Sequence, residues 1–356
     1  MRLYWGSIAL QLAFQIAWYG NVPYSALKLY PYPYESTKDA VQKLIRAGYV
    51  GIVKAPHVKS LYITPQGRDA VDEVRMKHGR DAMEKTPIVY HPPKADRVGR
   101  INEALILFQK ADLGDGYYTS RDVKRDLEKD SRGGDQLKYS RFVGMRKKED
   151  GCSVVYHFGR KNVQLNRNGE KNARQIAKFF HSKVDRLILG DNMDTLLSVL
   201  RYSQWVNAKT EKQRRHIRQL HFHVDLGSRV DGDICFLPMS RDSMLILNMM
   251  QQAGWEQWVQ GLQGYFAQDG ISVWMTLDCC VKPLLENFMH PGRIRRDSVL
   301  IVCYDWQEEF IKEFYSGIAD RKQIWVQTVE TEAVADAFLK KTENFICEDA
   351  PYRLYT

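Results

Sequence analysis

The sequence predicts a chain of α+β character in front, with an α/β domain behind it. Three observations carry that expectation. Residues 5–78 follow the order helix, helix, helix, hairpin, helix. The stretch GRDAMEKTPIVYHPPKADRVGR over 79–100 sets Pro87, Pro92 and Pro93 among charges, as a linker would. From about residue 184, short β-rich runs alternate with helical ones. With 356 residues, two or three domains are expected. Their bounds are 1–80, a linker at 81–99, a basic helix-plus-hairpin segment at 100–180, and an α/β domain at 181–356.

In the first domain, Ile8, Leu12 and Ile16 recur with Ala9 and Ala13 at helical spacing from Ser7 to Tyr19, and Gly20-Asn21 ends the run. Tyr24 to Leu29 makes a short helical piece that Pro31 and Pro33 cannot continue. Ser36 with Asp39 three residues on looks like a capping-box start for a third helix. That helix buries Ala40, Val41, Leu44 and Ile45, stops at Gly48, and displays Lys38, Gln42, Lys43 and Arg46 on its opposite face. The run Tyr49 to Lys54, a polar tip of Pro56, His57, Val58 and Lys59, and Leu61-Tyr62-Ile63 form a hairpin with a basic tip. Thr64 caps the closing helix and Pro65 suits its first position.

The string AVQKLIRAGYVGIVKAPHVKSLYITPQGRDAV resembles the recognition helix, wing and closing helix of a winged helix-turn-helix domain, over about residues 5–78. The resemblance implies that the helix from Ser36 to Ala47 enters the DNA major groove while the hairpin tip touches backbone or minor groove. The expected DNA contacts are Ser36, Thr37, Lys38, Gln42, Lys43 and Arg46 on the helix, with Lys54, His57 and Lys59 on the wing. The same fold used for protein contact or dimerisation is the competing reading.

Beyond the linker, Ile101, Leu105 and Phe108 resume helical spacing, and Thr119-Ser120 caps a helix carrying Val123 and Leu127. SRFVGMRKKEDGCSVVYHFGRK then reads as a hairpin turning at Glu149-Asp150-Gly151. Its Arg141, Arg146, Lys147 and Lys148 serve either a second DNA-contacting, winged-helix-like unit or the basic edge of the next domain.

In the back half the expected strands are 186–189, 220–224, 230–237, 244–248, 271–277, 299–304 and 323–327, and the expected helices 193–202, 255–266, 283–288, 307–315 and 332–340. RVDGDICFLPMSRDSMLILNMM is similar to the core hairpin of restriction-endonuclease-like domains, whose second strand carries an acidic-x-Lys pair. Here Leu245-Ile246-Leu247 offers neither carboxylate nor lysine, so such a core would be degenerate, with only Asp231 and Asp233 to hold a metal. A metal-dependent nuclease using these aspartates is the enzymatic alternative. His221, His223 and Asp225 alternate on one strand, a spacing a metal site can use and a surface strand also shows. Cys279-Cys280 follows a strand without an assignable His partner, which reads as packing.

Charge sharpens the reading. Net charge is +9, distributed as +7 over residues 1–100, +6 over 101–180 and −4 over 181–356, so the polyanion-binding surface is expected in front. The 6 cysteines form no CxxC pair, against a zinc ribbon or a disulfide framework, and fit a reducing cytoplasm. The uncharged stretch from Leu3 to Tyr19 is interrupted by Gln11, Gln15 and Trp18 and reads as a buried helix, so no membrane association is expected. Dinucleotide and P-loop fingerprints are absent from the sequence. In its architecture the chain resembles the replication-relaxation family of mobile-element proteins. That implies a non-catalytic, cofactor-free binder of double-stranded DNA from a plasmid, integrative element or phage, acting at an origin or a promoter. Its C-terminal domain would then self-associate as a homodimer or recruit a relaxase or replication protein.

Overall fold

The structure is a computed structural model that describes residues 1–54, 59–129, 141–148, 151–159, 175, 177, 183–196, 234–262, 264–266, 271–280, 298–315, 323–340 and 352–353. It is an α+β protein with mixed sheets, dividing into Met1–Lys110 and Ala111–Thr356.

In the first unit, α1 (Ile8–Tyr19) starts where the Ser7 hydroxyl oxygen accepts the Leu10 N–H at 3.2 Å. It stops at Gly20, whose φ of +79° is open to glycine and whose missing side chain leaves room for the Pro87 carbonyl. Strand β1 (Val22–Pro23) and a 3-10 helix (Tyr24–Leu29) lead to α2 (Tyr34–Arg46). Pro33, rather than Ser36, is the cap of α2: the helix begins two residues before the expected serine, because a proline-fixed φ leads directly into helical backbone. Strands β2 (Val50–Lys54) and β3 (Lys59–Ile63) pair antiparallel, and β1 joins the far side of β3, giving the order β1-β3-β2. Helix α3 (Pro65–Lys77) is capped as expected, with the Thr64 oxygen accepting the Gly67 N–H at 3.0 Å. Helix α1 packs on α2, α3 and β3, and Leu12, Ile16, Val41, Leu44, Leu61 and Val71 are fully buried. Each such side chain contributes about 1.5–3 kcal/mol.

The segment expected as a linker is tied down along the first unit. Arg75 Nε donates to the Asp81 carbonyl at 3.0 Å, Asp72 accepts the Met83 N–H at 2.9 Å, and the Thr86 hydroxyl donates to the Trp18 carbonyl at 2.9 Å. The Asn21 amide exchanges two hydrogen bonds with the Val89 backbone, at 3.0 and 2.8 Å. Helix α4 (Pro92–Lys110) then returns Asn102, whose amide donates to the carbonyls of Tyr19 at 2.9 Å and Asn21 at 2.6 Å. Residues 81–110 thus complete the first unit, and the boundary falls after Lys110.

The second unit holds two five-stranded sheets. One runs β4 (Tyr117–Thr119), β5 (Phe142–Lys147), β6 (Gly151–Phe158), β7 (Lys183–Gly190), β8 (Ile234–Pro238), with β6, β7 and β8 parallel. The expected division at 180 is therefore bridged by strand pairing, and the basic hairpin β5–β6 is the antiparallel flank of this sheet. The other has the order β13-β12-β11-β10-β9, built from β9 (Gly264–Phe266), β10 (Ile271–Met275), β11 (Ser298–Tyr304), β12 (Gln323–Val329) and β13 (Tyr352–Arg353). Here β10, β11 and β12 are parallel, the alternation of strands and helices having marked all three. Side chains of both sheets, among them Tyr156, Ile188, Phe236, Ile301 and Val326, share one core.

The second unit also carries α5 (Ser120–Lys129), α6 (Arg241–Met249), α7 (Trp255–Leu262), α8 (Glu308–Tyr315) and α9 (Thr331–Lys340). Helix α6 overturns the strand expected at 244–248. Pro238 ends β8, the Ser240 oxygen caps the new helix by accepting the Ser243 N–H, and Ser243, Ile246 and Leu247 are buried at helical spacing. The second strand of the hairpin similar to restriction-endonuclease-like cores therefore does not form from 244–248, and Asp231 and Asp233 lie outside the described residues. The helix expected over 255–266 stops at Leu262, and 264–266 form β9. The strand expected at 220–224 and the helix at 283–288 lie outside the described residues. Among the described residues no helix is long and apolar enough to cross a membrane.

Candidate nucleic-acid interface

Helix α2 brings most of the expected contacts onto one element, and burial separates them. Ser36, Lys43 and Arg46 are exposed. Thr37 is fully buried and its hydroxyl donates to the Pro33 carbonyl at 3.2 Å, so it holds the helix start and is withdrawn from any ligand. Gln42 donates from Nε2 to the Tyr24 hydroxyl at 3.2 Å, which fixes its side chain against the 3-10 helix. Lys38 pairs with Glu35 at 3.0 Å; hydrogen bonding to that carboxylate, then its charge, raises the lysine pKa. Glu35 and Asp39 are exposed on the same helix, so its N-terminal half is electrically mixed, and the free positive charge lies toward the C-terminal end at Lys43 and Arg46.

The hairpin concentrates charge differently. Lys54 and Lys59 are both exposed, and they are direct cross-strand partners at the last described rung before the tip. Like charges opposed in this way destabilise a hairpin unless an anion lies over both. Gly67 sets the root of the hairpin: a side chain there would reach within 2.0 Å of the Tyr49 carbonyl oxygen, so only glycine lets α3 approach the start of β2 this closely. His57 lies outside the described residues.

The four basic residues expected on the second hairpin separate on burial. Lys147 is exposed and Arg141 half-buried. Arg146 is 3% exposed, and burial pushes its pKa down to about 10 against the pull of Cys235 and Asp185. With the Gln251 amide oxygen turned toward it, Arg146 donates from Nε at 3.2 Å and Nη2 at 2.9 Å. Lys148 forms an ion pair with Asp185, whose side chain is 3% exposed. Arg146 is thus an interior charge of the sheet and Lys148 a half-buried, paired one, so that of the four only Lys147 is exposed.

His221, His223, Asp231 and Asp233, the expected candidates for a metal, lie outside the described residues. Among the described residues no group of three or more His, Cys, Asp or Glu side chains is placed to hold a metal ion. Sequence reasoning passed over Glu35, although its spacing to Lys38 is that of a helical ion pair. It passed over the Lys54–Lys59 opposition as well, which appears only once the hairpin register is known. No protein-family model, curated protein or solved structure matches the chain.

Proposed function

We propose that residues 1–110 form a winged helix that binds double-stranded DNA without catalysis, α2 lying in the major groove and the β2–β3 tip on the phosphate backbone. The observation that carries the reading is the paired exposure of Lys54 and Lys59 at the tip of a hairpin that follows directly on a helix exposing Lys43 and Arg46. The element order and the strand order β1-β3-β2 supply the frame such a docking uses. The exposed charge of Lys43 and Arg46 at the C-terminal end of α2 supports phosphate contact there. The acidic Glu35 and Asp39 disfavour phosphate near the N-terminal half and leave that half to base edges, where a carboxylate can accept from a cytosine amino group.

Resemblance to the replication-relaxation family extends the proposal to a mobile-element protein that acts at an origin or a promoter, the second unit serving self-association or recruitment of a replication or transfer protein. The test is fluorescence anisotropy of the full chain on random duplex DNA across a salt series. A steep salt dependence that collapses in Lys43→Glu/Arg46→Glu supports the reading. Absence of binding at low salt refutes it and favours the same unit acting as a protein-contact module.

A further inference from the structure

Cys235 in β8 and Cys280, just beyond β10, place their sulfurs 3.1 Å apart. Their backbones form an isolated antiparallel bridge, and the Phe236 N–H donates to the Cys279 carbonyl at 3.1 Å beside it. The stretch 276–280 is held from several sides. Thr276 N–H donates to the Val302 carbonyl at 3.0 Å, the Tyr304 hydroxyl to the Leu277 carbonyl at 3.0 Å, and the Cys280 N–H to Asp278 Oδ1 at 2.9 Å. The two thiols cannot drift apart without breaking this framework. Disulfide formation would shorten their present 3.1 Å separation to a bond of roughly 2.05 Å.

The surroundings favour thiol chemistry at this pair over Cys152, Cys279 and Cys303. Arg146 and Lys148 both lie near enough to Cys235 to interact with it electrostatically. Cys235 is buried, whereas Cys280 is only partly so, which gives a small oxidant a way in. Cys279 is 1% exposed, its sulfur receives the Gln307 Nε2–H at 3.8 Å, and burial drives its pKa well up. Burial likewise pushes Cys152 up to about 11 and Cys303 up to about 12. Burial thus disfavours the thiolate at all three.

We propose that Cys235 and Cys280 are a reversible oxidation site that closes to a disulfide, with a small hydroperoxide such as hydrogen peroxide as the oxidant. One thiolate attacks a peroxide oxygen, the O–O bond breaks, and the departing hydroxide takes up a proton as water, leaving a sulfenic acid. The second thiol then attacks that sulfur and expels a second water. In all, the two thiols give two electrons and two protons to one peroxide. The bond would fasten β8, the end strand of one sheet, to the chain leaving β10 of the other.

The test treats the full chain with hydrogen peroxide, blocks remaining thiols by alkylation, and maps peptides without reduction. A Cys235–Cys280 cross-linked peptide is expected, with a melting midpoint raised by about 10 °C and restored by dithiothreitol. Cys280→Ser removes both effects, while Cys279→Ser keeps the cross-link. A cross-link through Cys279, a bond between chains, or sulfinic acid at Cys280 without a cross-link overturns the assignment. Mapping of the unsubstituted protein decides the matter even if a serine variant does not fold.

Discussion

Lys54 and Lys59 face each other across the β2–β3 hairpin, both exposed, as the last described pair before its tip. Two exposed lysines at directly paired positions form a local positive site that one phosphate can satisfy. Lys54→Glu and Lys59→Glu are each expected to weaken duplex binding for all sequences alike and to flatten the log Kd against log salt plot by about 1 unit. Equal slopes for wild type and both variants, measured by anisotropy, would remove the hairpin from the interface.

The Asn21 and Asn102 amides tie the end of α1, the chain at Val89 and helix α4 into one buried network. Asn102→Ala takes the Asn102 amide away from the Asn21 carbonyl and leaves the Tyr19 carbonyl only its bond from the Asn21 N–H, and is expected to lower the stability of the first unit by about 1–3 kcal/mol, read from denaturant melts. The same network predicts that residues 1–110 melt cooperatively while residues 1–80 do not. A cooperative melt of 1–80 would show that α4 is dispensable.

At Gly67 an added methyl group meets the Tyr49 backbone, which cannot swing aside as a side chain can. Gly67→Ala should cost about 1–3 kcal/mol even though alanine is the better helix former. A midpoint equal to or above that of the wild type would mean that the hairpin root yields.

Burial alone would lower the Lys148 pKa, but the charge of Asp185 and the hydrogen bond to it prevail, and the net shift is upward. A lysine whose pKa is higher in the folded state stabilises the fold fully below the ordinary value of 10.5 and ceases to do so as pH rises through the raised value. Lys148→Met leaves the carboxylate of Asp185 without this ammonium and is expected to destabilise by about 3 kcal/mol near neutral pH, a difference that narrows at strongly alkaline pH. Lys148→Met/Asp185→Leu should recover much of the loss. A penalty that does not change between neutral and alkaline pH would count against the ion pair.

The first unit was legible wherever a local rule settled the matter. Ser7, Gly20, Thr64 and Pro65 carry their signals within a few residues, and the elements they bound are present. Helix α6 was misread because Met244-Leu245-Ile246-Leu247 is a four-residue apolar run, for which a buried strand and a buried helix look alike. Ser240 with Ser243, the helix start signal beside it, would have decided the case. Arg146 and Lys148 read as surface charge because Asp185, which draws them inward, lies on another strand 37 residues beyond Lys148. Sequence distance hides a pairing of that kind, and no local pattern reveals it.

The strands at the sheet margins of the second unit are short. Among the described residues, those at the ends of the two sheets, β4, β9 and β13, run only 3, 3 and 2 residues. At the remaining end, β8 is engaged at Cys235 by the chain at Cys280. A margin that offers so few consecutive backbone groups is a poor template for another chain, so stacking of copies into an extended ribbon, the common route from a β-rich core to amyloid, is discouraged by strand length itself.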